Sequence, residues 1–575
     1  VGALELTRSA AVADFFKTKF VKDAGVHSEA DDFTRDEEGS TMVLGLFVFV
    51  SMLAAGGMAV DFMMAERERA EVQYTLDRAI LAGAALSQPL NPKIVVEDYF
   101  DKSGLHDYNL LVKMPEEDNS LTSRRVEAFA SSSVKNYFVN MVGVGDLVVS
   151  ANGGAEERVQ NVEISMVLDV SGSMGRSGRM GNMKTAALEF VETVLTENNV
   201  NRVSINLIPY NMQVNAGPVL STALGTTTEH DSSYCVDFTS NQFAETTVDD
   251  TETYQRTGHF DPFYTTMDHP ATSSDDNDRR LFMCPTTGYS EITYLSQNLS
   301  DLQDSINALQ PGGNTSIDIG VRWGATLLDP TLNAAMAEMP AGSGSIGDPI
   351  FSNRPATYED DDTIKLMVVM TDGVNTTQYT LDDNYASGDS NVWMSDDSTI
   401  MSIYDDYNND YFITNTYYDN TYGDKYKYGD FNNSGHIWYE GGEHNKWSND
   451  VYNFTGNARR LSWPEVWETM GTRYNAYYNQ YRMRNWASEY YDWRDGVTNS
   501  VSGSTKNNRL SSACNAAKEN GVVIFSIGFE VTTSSAAVMK DCASSESHFY
   551  RVEGIEISDA FNAIAQTIQR LKLTN

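Results

Sequence analysis

Three oxygen-bearing side chains stand on alternate positions where an apolar run stops. The stretch ISMVLDVSGSM, residues 164–174, ends in Asp169, Ser171 and Ser173, with Gly172 between the serines. The run before them reads as a buried strand feeding a sharp turn, where Gly172 permits unusual backbone angles. Alternation lets all three oxygens converge on one point above a sheet. Two other places have the same character. In QPGGNTSIDIG, Thr315 follows a Gly-Gly turn and opens a helix, and in VVMTDGVNT, Asp372 stands directly after an apolar strand and before Gly373. Carboxylates with several hydroxyls make a hard, oxygen-only, weakly anionic site. That chemistry suits Mg²⁺ or Mn²⁺, with Ca²⁺ as a further oxygen-seeking candidate. The chain would supply fewer than six ligands, which leaves a position for a carboxylate from a partner. Hydrolysis with Ser171 or Ser173 as nucleophile is the competing chemistry. No histidine or lysine is placed in the sequence to activate either serine, and no GxSxG elbow surrounds them. The residues therefore read as a binding site and the chain as no enzyme.

From residue 161 the pattern that must position these groups is regular. VEISMVLDV, RVSINLIPY, TIKLMVVMTDG, ENGVVIFSIGF and the short SHFYRV read as strands. Between them lie helical stretches. One is MGNMKTAALEFVETVLTE, with Met183, Ala187, Phe190 and Val194 on one face; the last is ISDAFNAIAQTIQRLKL, with Ile557, Phe561, Ile564, Ile568 and Leu571 as a stripe. Near-continuous apolar strands alternating with helices predict an α/β fold, a doubly wound and mostly parallel sheet covered on both faces. Sites in such sheets lie beyond the C-terminal ends of the strands. Two insertions interrupt the pattern, at about 218–300 and 378–509. The first contains the acidic run SSDDNDRR. The second contains 18 of the 30 tyrosines and 7 of the 8 tryptophans. Its phrase YDDYNNDYFITNTYYDNTYGDKYKYGDF is too polar for a core and too aromatic for a typical linker. Acidic runs such as DDYNND do not fit a calcium-loop spacing and read as solvated loops.

The bulk numbers exclude some partners. The chain has 575 residues, a formal charge of −39 and a pI of about 4.4. Coulomb repulsion disfavours nucleic acid. Residues 41–60, TMVLGLFVFVSMLAAGGMAV, carry no charge and are long enough to cross a bilayer. The residues before them are mixed in charge rather than basic, which favours an uncleaved anchor over a signal peptide. Beyond the anchor, ERERAEVQYTLDRAILAGAAL predicts a helix with Val72, Leu76, Ile80 and Leu81 on one face, SRRVEAFASSSVKNYFVNMV a helix, and YNLLVKM and GDLVVSA strands. All four cysteines follow the anchor, as an early and a late pair. Cys235–Cys284 and Cys514–Cys542 are the expected disulfides, with four buried thiols as the alternative. Bridges would place the body outside the cytosol. The expected organisation is a cytoplasmic segment 1–39, a transmembrane anchor 40–64, a helix plus small α+β stalk 65–160, and the α/β domain with its insertions 161–575.

The order strand, DVSGSM, GGNTS, TDG resembles a von Willebrand factor type A (vWA) domain with its metal-ion-dependent adhesion site. That resemblance implies Asp169, Ser171, Ser173, Thr315 and Asp372 as the metal-site residues. RDEEGSTMVLGLFVFVSMLAAGGMAVDF, with the helix after it, resembles the N-terminus of TadE/TadG-like proteins of tight-adherence (Flp) pilus systems. RTGHFDP, LQPGGNTSIDIGVRWGATLLDP and CASSESHFYRV resemble segments of the TadG-type members. The resemblance implies an inner-membrane, single-pass bacterial protein with a periplasmic or cell-surface body. It also implies a role in pilus assembly and attachment, through a pilus component or a surface receptor that presents an acidic residue. The tyrosine-rich insertion is outside it.

Overall fold

The computed structural model describes residues 37–571, apart from 86–87, 116–122, 159, 197–199, 250, 264–280, 287–289, 340–346, 397–399, 416–435, 440–441, 446, 449–450, 452–457 and 485. The N-terminal segment, the run SSDDNDRR and much of the tyrosine-rich phrase lie outside the described residues. The chain divides into two compact units, 1–158 and 159–575.

In the first unit, helix α1 (Glu37–Ala84) continues the apolar run into a charged half. Among the described residues it is the one helix long and apolar enough to cross a membrane. Its apolar side chains from Met42 to Leu53 are largely exposed, whereas Val72, Leu76 and Ile80 are buried. These three pack with Val96 and Phe100 of helix α2 (Pro92–Lys102) on one face of an antiparallel sheet. Its strands are β1 (Asn109–Lys113), β2 (Ser123–Val134) and β3 (Leu147–Arg158), in that order. Two expectations fail here. Leu81 is exposed rather than on the packed face. The stretch expected as one helix from 123 is strand β2, followed by the four-residue helix α3 (Phe138–Met141). Val126, Ala128 and Ala130 alternate inward along β2. Pairing with β1 and β3 overrides the helix preference of its alanines and arginines.

The second unit is built on a sheet of six strands among the described residues. The three strands that carry the site are β4 (Asn161–Asp169), its neighbour β5 (Val203–Tyr210), and β7 (Thr363–Thr371) on its other side. Strand β6 (Thr293–Ser296) forms one edge beside β5. Beyond β7 lie β13 (Val523–Phe529) and β14 (Phe549–Val552). The five strands from β14 to β5 run parallel, and β6 pairs antiparallel, so the sheet is mixed. Strand β6 falls inside the stretch expected as the first insertion, where its four residues TYLS are too short to stand out. Alternate residues of β4 serve two cores. Ile164, Met166 and Leu168 face helices α4 (Arg179–Val194), α5 (Leu299–Ala308) and α10 (Glu556–Leu571). Val167 lies in the core shared by α6 (Ile317–Thr326), α7 (Pro330–Ala337), α8 (Gly503–Glu519) and α9 (Thr533–Cys542). The predicted faces of α4 and α10 are buried as far as their side chains are described; Leu571 lies outside that description.

Helix α6 lies unusually close to the sheet because two glycines, one turn apart, face it. A Cβ on Gly320 would stand 2.8 Å from the Tyr210 ring and from Val167, and one on Gly324 2.8 Å from Val167. Gly320→Ala and Gly324→Ala are each expected to destabilise the fold by about 1–3 kcal/mol through overpacking, read as a lower urea midpoint.

The second insertion rises on a two-stranded stem, Gln378–Leu381 against Thr498–Val501. It ends there, not at 509, since α8 packs on the main sheet. Above the stem is a five-stranded antiparallel sheet: β8 (Asp389–Ser395), β9 (Ile400–Asp405), β10 (Asp410–Asn415), β11 (Trp447–Ser448) and β12 (Ala458–Ser462). It has a core after all. Ile403, Phe412, Leu461 and Trp467 are buried together with Met212, Phe260 and Met283, which come from the earlier part of the chain. The acidic run at 405–410 is not wholly solvated either. Asp405 is fully buried and takes two hydrogen bonds from Arg484, at 2.9 and 2.5 Å. Both expected disulfides are formed, Cys235–Cys284 and Cys514–Cys542, the latter joining α8 to α9.

Candidate metal centre

Strand β4 is buried to its last residue, and that residue is Asp169. Its neighbour β7 ends at Thr371, so Asp372 leaves the sheet at the same edge. Asp169 Oδ1 accepts the backbone N–H of Ser171 at 2.7 Å, which closes the turn. Asp169 Oδ2 accepts the Thr371 hydroxyl at 2.7 Å. The Ser171 and Ser173 hydroxyls are 3.0 Å apart, and Ser173 donates to Asp372 Oδ1 at 2.6 Å. Ser171, Ser173 and Asp372 are thus linked oxygen to oxygen, and Asp169 joins them through the Ser171 backbone N–H. Burial, then the neighbouring Asp372 carboxylate, push the Asp169 carboxyl up to about 6. Two buried carboxyls that repel one another are the electrostatic condition under which a cation is most strongly attracted.

Thr315 is brought alongside through its backbone. The Gly312 N–H donates to Val170 O and the Gly172 N–H to Gly313 O, both at 2.9 Å, which ties the second loop to the first. The Thr376 N–H donates to Thr315 O at 3.0 Å, and Thr315 N–H donates to the Thr376 hydroxyl at 2.9 Å, which ties it to the third. Beneath these loops lies Lys506 of α8, fully buried. Its ammonium donates to Thr315 O at 2.8 Å, to the Ser316 hydroxyl at 2.5 Å and to Thr376 O at 3.0 Å. Asp318, also fully buried, is 3.9 Å from it.

Sequence reasoning did not single out Lys506, Thr371 or Arg179. Arg179 opens α4 after two successive left-handed residues, Ser177 and Gly178, turn the chain back over the site. Its Nη1 donates to Asp372 Oδ2 at 2.8 Å and its Nε to Glu530 Oε2 at 2.7 Å. Nothing in GRSGRM separates this arginine from a solvated one.

The donor set fits an oxygen-seeking cation. Among the described residues no group of three or more His, Cys, Asp or Glu side chains is arranged to hold a metal. A cation here would rely on two carboxylates and the hydroxyls of Ser171, Ser173 and Thr315. Zinc and copper, which favour nitrogen and sulfur, do not suit that set.

Residues 39–86, which span the apolar part of α1, match the Tad family model, Flp pilus-assembly TadE/G-like. No curated protein matches the chain. Among solved structures, the chain is similar to the vWF domain of the type V pili tip protein Mfa5 from Porphyromonas gingivalis. Identity is 14%, over 72% of this chain and 98% of that one, with a TM-score of 0.30. It is also similar to the pilus adhesin SpaC from Lactobacillus rhamnosus GG, at 13% identity over 80% of this chain and 34% of that one, TM-score 0.29. A third is the adhesive tip pilin GBS104 from Group B Streptococcus agalactiae, at 13% identity over 71% and 100%, TM-score 0.29. Likenesses this slight do not say what the chain binds. The apolar helix and the pilus-assembly match support a membrane-anchored envelope protein.

Proposed function

We propose that the chain is a membrane-anchored binding protein of a tight-adherence pilus system, and that its second unit is a vWA-type adhesion domain. In this reading Asp169, Ser171, Ser173, Thr315 and Asp372 hold Mg²⁺ or Mn²⁺, with Ca²⁺ as a third candidate. The bound cation supplies an electrophilic point for an acidic side chain of a protein partner, a pilus component or a surface receptor. The observation that carries the reading is the hydrogen-bonded chain from Asp169 to Asp372 across two neighbouring strand ends. The chain's own residues do the positioning. Asp169 fixes the turn, and Thr371 orients Asp169. The backbone ties between the three loops hold the donors in place before any cation arrives. The two disulfides favour a body outside the cytosol, with residues 1–39 on the cytoplasmic side.

A second reading is a metal-free scaffold of pilus assembly. It is favoured by Arg179, which already gives Asp372 a cationic partner. Capture of partners from envelope extract by the detergent-solubilised full chain separates the two. The adhesion reading expects capture in Mg²⁺ that EDTA abolishes and added Mg²⁺ restores. Capture that is indifferent to EDTA leaves the scaffold.

A further inference from the structure

We propose that residues 137–144 form a second membrane contact, a foot that rests in the lipid interface against the spanning helix. The foot is seated on α1 at two points. The Phe138 ring lies directly on Gly57: a Cβ there would come within 2.2, 2.3 and 2.8 Å of three ring atoms. One turn further along α1, the buried Asp61 carboxylate accepts three consecutive backbone N–H groups, from Tyr137 at 3.3 Å, Phe138 at 2.6 Å and Val139 at 2.8 Å. Asp61 therefore caps α3 from another helix. Charge-assisted hydrogen bonds of this kind are about twice as strong as neutral ones, which suits a carboxylate held near lipid.

The seat fixes the depth. Gly57 lies inside the charge-free run 41–60, three residues before its end, so at 1.5 Å rise per residue Phe138 sits roughly 5 Å inside that boundary. Apart from the buried Val139, the rest of the foot faces outward. Tyr137 is 70% exposed, Met141 82%, and Val142 and Val144 about half. The run YFVNMVGV carries no charge, and charges resume on either side at Lys135 and Asp146. Such a patch in water would be an apolar surface with no cover. Here it continues the lipid-facing surface of α1, and the bilayer that α1 crosses is the occupant. The backbone is prepared for it. Gly143 N–H donates to Asn140 O at 3.0 Å, Val142 N–H to Val139 O at 3.3 Å, and the Asn136 side-chain amide to Gly145 O at 2.8 Å. Polar backbone groups tied internally are what an interfacial segment needs. A tyrosine at its start suits the headgroup level. A helix alone can spin and tilt in a bilayer; a helix with a foot has one face and one height.

The inference rests on α1 spanning the membrane, and the test keeps the two apart. All four native cysteines are paired, so single cysteines introduced by Met141→Cys, Val48→Cys or Ser103→Cys take a nitroxide label selectively. The labelled full chain, in phosphatidylcholine/phosphatidylglycerol nanodiscs, is probed by collision with oxygen and with a nickel chelate. The Met141 label is expected to favour oxygen over nickel several-fold relative to Ser103, and less than Val48 does. Gly57→Ala should move the Met141 label toward the Ser103 value and leave Val48 unchanged. A Met141 label as nickel-accessible as Ser103, with Val48 in lipid, overturns the foot. So does a Met141 label shielded from both reagents, which means a protein covers it. A nickel-accessible Val48 overturns the span and the foot together.

Discussion

Asp169→Asn is expected to lower affinity for Mg²⁺ or Mn²⁺ by more than the roughly 10–100-fold that loss of a residue supporting a ligand costs. Asp169→Ala should do the same and abolish EDTA-sensitive partner capture. The asparagine variant is the more telling of the two. It keeps an oxygen for the Ser171 N–H and turns its NH2 to the Thr371 hydroxyl, whose oxygen can accept, so the turn survives. It also removes a buried carboxyl that faces Asp372, the repulsion that together with burial lifts Asp169 to about 6. The cation-free variant should therefore melt no lower than the cation-free parent at pH 7, and the melting increase that Mg²⁺ gives the parent should vanish. Calorimetric titration and a thermal melt with and without Mg²⁺ read both. Retained cation affinity in Asp169→Asn would remove the site from this place in the fold.

Lys506→Met is expected to destabilise the second unit by about 3–5 kcal/mol, the cost of breaking a buried ion pair from one side. Three hydrogen bonds to the loops disappear, and Asp318 is left as a carboxyl in a fully buried place without its cation. Adding Asp318→Ala should return part of the loss, because the stranded carboxyl goes with it; urea unfolding of the four-member cycle measures the coupling. The pair also predicts a pH signature. Burial holds the Lys506 ammonium down to about 8 from 10.5, and lifts the Asp318 carboxyl up to about 6 from 3.8. The folded chain binds the Asp318 proton more tightly than the unfolded chain, so this group's contribution falls as pH rises from 3.8 to 6. It binds the Lys506 proton less tightly, so that contribution rises with pH from about 8 to 10.5. The pair makes stability lowest between about 6 and 8, and the double variant should flatten that trough. Because Lys506 holds Thr315 and Thr376 together, Lys506→Met should also weaken cation binding while leaving every proposed ligand in the sequence.

The contrast between Asp169 and Lys506 shows what the chain's linear pattern carries. Asp169 and Asp372 are legible because each ends a long apolar strand, and a parallel sheet sends such ends to one edge. Lys506 and Arg179 sit on helices whose residues look solvated, and only the packing of α8 and α4 brings them under and over the loops. Strand β2 was hidden by small residues: alanines at its inward positions give too weak an alternation to compete with their helix preference. The lobe above the stem was hidden for another reason. Its buried charge, Asp405, is neutralised by Arg484 from a segment far along the chain, and pairing at that distance leaves no local trace.

The lobe core has a consequence for the order of events. Met212, Phe260 and Met283 are made early in the chain, but the side chains that cover them run from Leu381 to Val497. A chain that emerges from its N-terminus therefore completes β4 and β5 first and must carry three bare apolar residues until the stem closes at Val501. During that interval Cys235–Cys284 is the one cross-link available to hold the early part together, since Cys514 and Cys542 have not yet appeared. Met212 also accepts the Ser316 hydroxyl at its carbonyl, one residue from Thr315. The loops that carry Asp169, Thr315 and Asp372 are thus among the last parts of the body to settle. Excising the tyrosine-rich stretch at its stem would strand them half-made instead of trimming an ornament.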